Sequence, residues 1–175
     1  WAAIVCTMII MFIIGLLIER VLIRTIRNKL ASNIYVVLAT IALGIVLQNS
    51  AQHIWGTVNF QFPPLFNVDT INILGSNIQP ESFVALIFCF IAMVTLHLFM
   101  TKTKYGISMR ASAMNALAAK SVGINVSLVT GITWGLSSAL AGVAGMLLGP
   151  VQGVSLSMGS LIGTKSFAAA VIGGY

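Results

Sequence analysis

Four long apolar runs constrain the fold of this chain more than any other feature of its sequence. They cover residues 2–18, 34–54, 83–100 and 126–148, and a further apolar segment begins near residue 161. Each run approaches or exceeds the ~20 residues that an α-helix needs to cross the hydrocarbon core of a bilayer. Charged residues make up 7% of the chain, against about a quarter in a typical soluble domain. The sequence therefore predicts an all-α fold, a polytopic transmembrane helical bundle.

Positive charges are confined to short segments between the apolar runs. Of nine Lys and Arg residues, four lie between the first and second runs and four between the third and fourth. Cytoplasmic loops of membrane proteins carry such an excess of basic residues. We therefore expect both basic connectors in the cytoplasm and residues 56–82, which contain no Lys or Arg, outside. The net charge of +6 is therefore explained by the orientation of the chain in a bilayer and does not indicate nucleic-acid binding.

The ends of the chain bear on its domain organisation. It opens at Trp1 without an initiator methionine and stops at Tyr175 inside an apolar, glycine-rich run. We therefore expect one transmembrane domain over residues 1–175, truncated at both ends.

Small residues follow one side of the fourth run. At about 100° per residue, five glycines fall within one narrow arc of a helix. They are Gly131, Gly135, Gly142, Gly145 and Gly149. Such a stripe lets another helix approach closely, and two pairs within it have the GxxxG spacing of membrane helix contacts. We predict helix packing along this stripe.

Polar residues end the second run. Gln48, Asn49 and Gln52 are candidates for a neutral, hydrogen-bonding lining of a translocation path or its gate. The alternative is hydrogen bonding between helices, worth only about 0.6 kcal/mol on average.

Lys165 is a further candidate for the path or its gate. It follows residues 149–160, which are too polar and glycine-rich to cross lipid as an exposed helix, so we expect a loop or broken segment there. Three roles are open for Lys165: attracting an anionic end of the substrate, bonding to carbonyls of the broken segment, or extending to the outer headgroups.

The second basic connector holds an alanine-rich stretch. Residues 109–122 predict one short helix, with Ser108 as its N-cap and Gly123 just past its end. The helix would lie between two spans that it can move. On the residues alone, docking to a partner and anchoring at lipid headgroups both stay open.

Motifs for catalysis do not stand out, so we expect no enzymatic site, cofactor site or metal site. The sequence has no HExxH or CxxC motif, and GSLIGTKS at 159–166 lacks the Gly-Lys-Ser/Thr order and preceding strand of a phosphate loop. Glu19 is the one carboxylate near a span, whereas proton relays need chains of intramembrane Asp, Glu or His.

Three stretches carry a resemblance to a known family. They read, in chain order, YGISMRASAMNALAAKSVG at 105–123, GVAGMLLG at 142–149 and KSFAAAVIGG at 165–174. Together they resemble the permease family of branched-chain amino-acid ABC transporters, and residues 34–56, ending GIVLQNSAQHIWG, are similar to a lesser degree. The resemblance implies that 105–123 is a cytoplasmic coupling segment that docks into an ATPase subunit. The residues on the shared motif are Arg110, Ala111, Ala119 and Gly123.

The resemblance also implies a setting and partners. These are a multi-pass location in a bacterial or archaeal plasma membrane, a second permease subunit, two cytoplasmic ATPase subunits that use the ATP, and an external substrate-binding protein. In the external connector, Phe60, Phe62 and Phe66 either contact that binding protein or pack on one another. Branched-chain amino acids are the implied cargo, with urea, amides and sugars as alternatives.

Functions of other classes remain open on the sequence. A channel or secondary transporter would use the same spans without an ATPase, and its marks are charged rings or paired intramembrane carboxylates, which the spans lack. A membrane anchor or embedded enzyme would need a catalytic constellation.

Overall fold

A computed structural model describes residues 2–29, 33–56, 71–73, 76–78 and 80–174. Within these ranges the chain is almost entirely helical, with one short hairpin. The elements in chain order are α1 (Ala2–Ile18), a π-helical turn (Glu19–Ile23), α2 (Arg24–Lys29), α3 (Asn33–Trp55), β1 (Ile71–Ile73), β2 (Ser76–Ile78), α4 (Pro80–Lys102), α5 (Lys104–Met114), α6 (Ala116–Ser121), α7 (Val126–Gln152) and α8 (Met158–Ile172).

Four helical stretches among the described residues are long and apolar enough to cross a membrane. They are Ala2–Arg27, Ile34–Trp55, Pro80–Lys102 and Val126–Gln152. Each contains one of the four apolar runs, and the helical membrane fold predicted from the sequence is confirmed. The first stretch includes the π-helical turn, so α1 and α2 form one helix that widens near its polar end.

The fourth membrane helix is longer than its apolar run. α7 continues past Pro150 to Gln152, so the expectation of a loop or broken segment over all of 149–160 is wrong for its first part. Proline removes an N–H donor and crowds the carbonyl four residues earlier, but it has the φ of a helix, and here it weakens the last turn without ending the helix. Gly153, with a φ of 74°, ends the helix. After this short break α8 begins at Met158, ahead of the start predicted near 161.

α1 and α7 pack side by side and run antiparallel. Their contacts advance four residues at a time along both helices, pairing Thr7 with Met146, Met11 with Gly142 and Gly15 with Ser138. The approach is closest at Gly15, where a Cβ would lie 2.5 Å from Ser138 Oγ and 2.7 Å from the carbonyl oxygen of Trp134. Only glycine fits there, since the backbone of α7 blocks any side chain.

The glycine stripe of α7 divides into two parts. Gly131, Gly135 and Gly142 face the first membrane helix. A Cβ added to them would first meet a side-chain atom of that helix at 3.4, 2.9 and 2.6 Å in turn, and for Gly131 this atom is Oε2 of Glu19 in the π-helical turn. Gly149 is buried, whereas Gly145 is exposed and has no neighbouring atom within 4 Å of such a Cβ. The stripe therefore brings α1 close over its first part and leaves α7 open at Gly145.

Buried apolar side chains lie mostly on α7. They include Val126, Val129, Ala139, Val143 and Leu147. No residue of α8 is buried. The most apolar stretches of α3 and α4 also contain no buried residue. Such exposed apolar faces are typical of helices whose surroundings are lipid or other membrane helices.

Two short helices form the second basic connector, not the single helix predicted over 109–122. α5 begins earlier, at Lys104, because Thr103 caps it: its Oγ1 accepts from the Gly106 N–H at 3.1 Å. Ser108, the predicted N-cap, lies inside α5 and donates its hydroxyl proton to the Lys104 carbonyl at 2.8 Å. The cap assignment is therefore wrong. Ser is a better N-cap than Thr, so local preference alone favours the residue that the fold does not use as the cap.

Asn115 separates α5 from α6. Its backbone is extended, with φ −155° and ψ 104°. Its side-chain oxygen accepts from the N–H groups of Leu117 and Ala118, both at 3.0 Å. An N-cap inside the stretch thus ends one helix and starts the next. Gly123, with a φ of 85°, lies just past α6, where the sequence predicts the helix end.

A small hairpin occupies part of the connector 56–82. β1 and β2 pair antiparallel, with Ile71 opposite Ile78 and Ile73 opposite Ser76. The sequence analysis did not predict these strands, because each has only three residues. Residues 57–70, 74–75 and 79, and with them Phe60, Phe62 and Phe66, lie outside the described residues.

Candidate functional site

An ion pair between a buried glutamate and a half-buried arginine marks the polar end of the first membrane helix. Glu19 is 1% exposed, and its Oε2 lies 3.4 Å from Nη2 of Arg24. The two residues face each other because the π-helical turn between them bonds the Arg24 N–H to the Glu19 carbonyl, an i→i+5 spacing. Within the described part of the chain, Glu19 Oε1 and Arg24 Nε have no hydrogen-bond partner. The sequence placed Glu19 beside Arg20, which is exposed, and gave no signal for Arg24 as its partner.

Arginines beyond the turn hold this end against the start of α7. Arg24 Nη2 lies 3.5 Å from the carbonyl oxygen of Ser127. One turn further on, Arg27 Nη1 lies 3.4 Å from Thr130 Oγ1. The first basic connector therefore contacts α7, the helix that follows the second basic connector.

α5 is fixed firmly to its neighbours at its first turn. A Cβ at Gly106 would lie 2.5 Å from both the Cα of Met100 and the carbonyl oxygen of Phe99, so α5 starts in direct backbone contact with the end of α4. Thr103 Oγ1 also donates to the Phe99 carbonyl at 2.6 Å. Met109 of α5 is 7% exposed, and α5 packs against α7 as well as α4. Motion of α5 would therefore be passed to two membrane helices.

The four residues predicted to couple to a partner do not share one face. Arg110 and Gly123 are exposed, Ala111 is half-buried, and Ala119 is 3% exposed. They are divided between α5, α6 and the turn that follows. Arg110 and Gly123 are accessible to another molecule, whereas Ala119 packs within the segment.

Three large apolar side chains project from the coupling segment, two where α5 meets α6 and one at the end of α6. Met114 is 89% exposed, Leu117 78% and Val122 80%. We call these three residues the apolar tip. They were not predicted, although Met114 and Leu117 on either side of Asn115 stand out as bulky residues in an alanine-rich stretch.

A cavity of about 520 Å³ lies beside the coupling segment, among α2, α4, α5, α7 and the first residue of α6. Two of its lining residues are Arg27 and Arg110, which come from different basic connectors. The fold therefore brings one predicted coupling residue together with an arginine that the sequence analysis did not single out.

Candidate residues for the translocation path are not brought together. Gln48, Asn49 and Gln52 are exposed on α3, and the Asn49 side chain donates to the Ile45 carbonyl of its own helix at 2.8 Å. Lys165 is exposed on α8. No group of three or more His, Cys, Asp or Glu side chains comes together in the part of the chain that the structure describes.

Comparison with known proteins shows one consistent family. Residues 1–175 match the family described as "Branched-chain amino acid transport system / permease component". No solved structure gives a significant match.

Curated relatives from bacteria and archaea carry matching names. The "High-affinity branched-chain amino acid transport system permease protein LivH" of Escherichia coli (strain K12) is 34% identical over 165 residues, which cover 91% of this chain and 53% of the relative. BraD of Pseudomonas aeruginosa, a permease protein of the same description, is 30% identical over 99% of this chain and 57% of its own length. The "Probable branched-chain amino acid transport permease protein LivH" of Methanocaldococcus jannaschii is 41% identical over 53% of this chain and 29% of its own length. The chain thus spans about half the length of LivH and BraD.

Proposed function

Because this chain belongs to the family of permease components of branched-chain amino acid transport systems, whose members are multi-pass proteins of the plasma membrane, we propose that the whole protein is the membrane-spanning subunit of an ATP-driven importer. Its cargo on this proposal is branched-chain amino acids, the substrate class named for LivH and BraD. The observation that carries the mechanism is the exposed apolar tip on a short helix pair that is fixed to two membrane helices.

The orientation in the membrane follows from charge. Both basic connectors lie in the cytoplasm on this proposal, since basic residues favour that side. The contacts of Arg24 and Arg27 with the start of α7 support it, because they put the two connectors at the same end of the bundle. The hairpin and the rest of 56–82 then lie outside.

Four partners complete the proposed assembly. Two cytoplasmic ATPase subunits dock on the coupling segments of this permease and of a second, homologous or identical one, and they alone use ATP. An external binding protein delivers the substrate. Met114, Leu117 and Val122 would be covered by the ATPase, because large apolar side chains exposed to water mark protein interaction sites.

Transport would proceed by alternating access. ATP binds the closed ATPase dimer better than the open one, and this difference in affinity biases the permease between its two conformations. Closure moves the apolar tip, and the tight contact of Gly106 with the end of α4 carries the movement into the membrane.

Reversing the charge of Arg110 tests the coupling. In vesicles reconstituted with the whole permease, its ATPase and its binding protein, we expect Arg110→Glu to keep ATP hydrolysis and to lower leucine uptake per ATP by about tenfold, the effect of losing ~1.4 kcal/mol of docking free energy. Arg20→Glu is the matched control, because Arg20 is exposed on the other connector. Unchanged uptake per ATP in Arg110→Glu would contradict the coupling role, and vesicles that take up no branched-chain amino acid with the wild type would contradict the importer.

Neutralising Lys165 tests its place in the path. Its exposed side chain on α8 favours extension towards the headgroups over contact with substrate. We therefore expect Lys165→Met to leave both protein abundance in the membrane and leucine uptake unchanged. Loss of uptake at normal abundance, restored in Lys165→Arg, would instead assign the charge a role in transport.

A further inference from the structure

The cavity beside the coupling segment has a charged end. Arg27 and Arg110 both line it, and among the described residues no acidic side chain does. Of the three acidic residues in the sequence, Glu19 is paired with Arg24, Glu81 lies in the first turn of α4 at the far end of that helix, and Asp69 is outside the described residues. The contact found for Arg27 is with a neutral hydroxyl. Two positive charges therefore line one cavity without a carboxylate to balance them.

Hydroxyl groups accompany the arginines. Thr130, Thr133 and Ser137 line the cavity from α7, and Ser112 lines it from α5. The Ser112 Oγ is buried and has no hydrogen-bond partner among the residues that the structure describes. A buried hydroxyl without a partner costs free energy unless a ligand or water satisfies it, so this atom independently indicates an occupant with hydrogen-bonding groups.

The rest of the lining is apolar and continues deeper along the helices. Leu96 of α4 and Leu136 and Leu140 of α7 belong to it. From Thr130 to Leu140 the α7 axis extends by roughly 15 Å at helical rise. Arg27 and Thr130 thus lie near one end of the cavity, and the aliphatic side chains, with Ser137 among them, lie up to three helical turns further along α7.

We propose that this cavity holds one anionic phospholipid. Its phosphate interacts with the guanidinium groups of Arg27 and Arg110, and one acyl chain lies along Leu96, Leu136 and Leu140. Basic pockets between membrane helices bind the headgroups of acidic lipids in this way. The inner leaflet as the source of the lipid follows from the proposed orientation, whereas the site itself depends only on the cavity. The lipid would join both basic connectors to the helix that the coupling segment moves.

Native mass spectrometry of the purified whole permease tests the site. We expect the protein to retain phosphatidylglycerol in preference to phosphatidylcholine with the same acyl chains. Arg27→Gln should weaken phosphatidylglycerol binding by about tenfold, as the loss of one charged contact of ~1.4 kcal/mol gives, and Arg27→Lys should restore most of it. Arg20→Gln is the matched control, because Arg20 lies on the same helix and does not line the cavity.

A second variant separates a lipid from a free anion. Ser137→Phe places an aromatic ring beside Leu136 and Leu140 and leaves both arginines in place, so it should weaken retention of phosphatidylglycerol by taking space that the acyl chain needs. Glycerol phosphate, which has the headgroup chemistry without acyl chains, should compete weakly with the lipid in the wild type.

Three results would overturn the proposal. Equal retention of phosphatidylglycerol and phosphatidylcholine would show that the negative charge of the headgroup does not contribute to binding. Binding that is unaffected by both Arg27→Gln and Ser137→Phe would place the lipid elsewhere. Competition by glycerol phosphate as strong as that by the whole lipid would make this a site for free phosphate compounds. Each is read from binding alone, so it is independent of whether the protein transports amino acids.

Discussion

Replacing Gly15 by valine is expected to prevent α1 and α7 from packing. The new side chain would begin 2.5 Å from Ser138 Oγ and 2.7 Å from the carbonyl oxygen of Trp134. Overpacking of a well-packed interior typically costs 1–3 kcal/mol. Here a backbone atom blocks the space, so we expect the upper end, about 3 kcal/mol, which lowers the ratio of folded to unfolded protein by roughly 100-fold. The folded fraction of the whole permease in detergent, followed by size-exclusion chromatography and thermal unfolding, measures the effect.

Gly145→Val provides the matched control. The residue lies on α7, in the same stripe, but a Cβ there would have no neighbour within 4 Å. We expect its thermal unfolding to match that of the wild type. If Gly15→Val unfolded at the same temperature as Gly145→Val, α1 and α7 would not be packed as the structure shows them.

Leu117→Glu is expected to release the ATPase from the permease. Leu117 belongs to the apolar tip and is 78% exposed in this chain. Burying a leucine in an interface contributes about 1.5–3 kcal/mol, and burying an unpaired carboxylate in its place costs more. We expect ATPase binding to weaken at least about 100-fold, the equivalent of ~2.8 kcal/mol, and uptake to fall with it. Co-purification of the ATPase with the permease measures the binding.

Thr25→Glu is the control for this change. It introduces the same charge at an exposed position of the other basic connector. We expect ATPase binding and uptake close to wild type. Normal ATPase binding by Leu117→Glu would show that the apolar tip is not the docking surface, and an equal loss in Thr25→Glu would show that any added negative charge suffices.

Hydropathy was enough to predict the membrane helices but not how they pair. The apolar run 2–18 is apolar on every side, so nothing in it indicated that Gly15 would meet Ser138 of α7. The glycines of α7 did indicate a close partner helix. The partner helix is set by tertiary contacts between residues more than a hundred positions apart in the sequence. Gly145 has the same helical spacing as the other glycines of the stripe, but a Cβ there would have no neighbour within 4 Å.

Local capping decided the detail of the coupling segment. Thr103, Ser108 and Asn115 are all residues that begin helices, and the sequence analysis chose the one that the fold uses inside a helix. The close contact of Gly106 with the end of α4 favours Thr103, and that contact is invisible in the sequence. The cavity was equally beyond prediction, because its lining comes from five helices.

The π-helical turn at Glu19–Ile23 sets the direction, around the helix axis, in which the side chains after it point. A turn with i→i+5 bonds absorbs one extra residue, and one residue corresponds to about 100° of azimuth around an α-helix. With that residue absorbed, Arg27 comes within roughly 20° of the direction of Gly15 and points at α7. In a regular helix it would point about 120° away. The positive charge that Arg27 places beside the coupling segment therefore depends on the one extra residue in the π-helical turn, about two helical turns earlier in the chain.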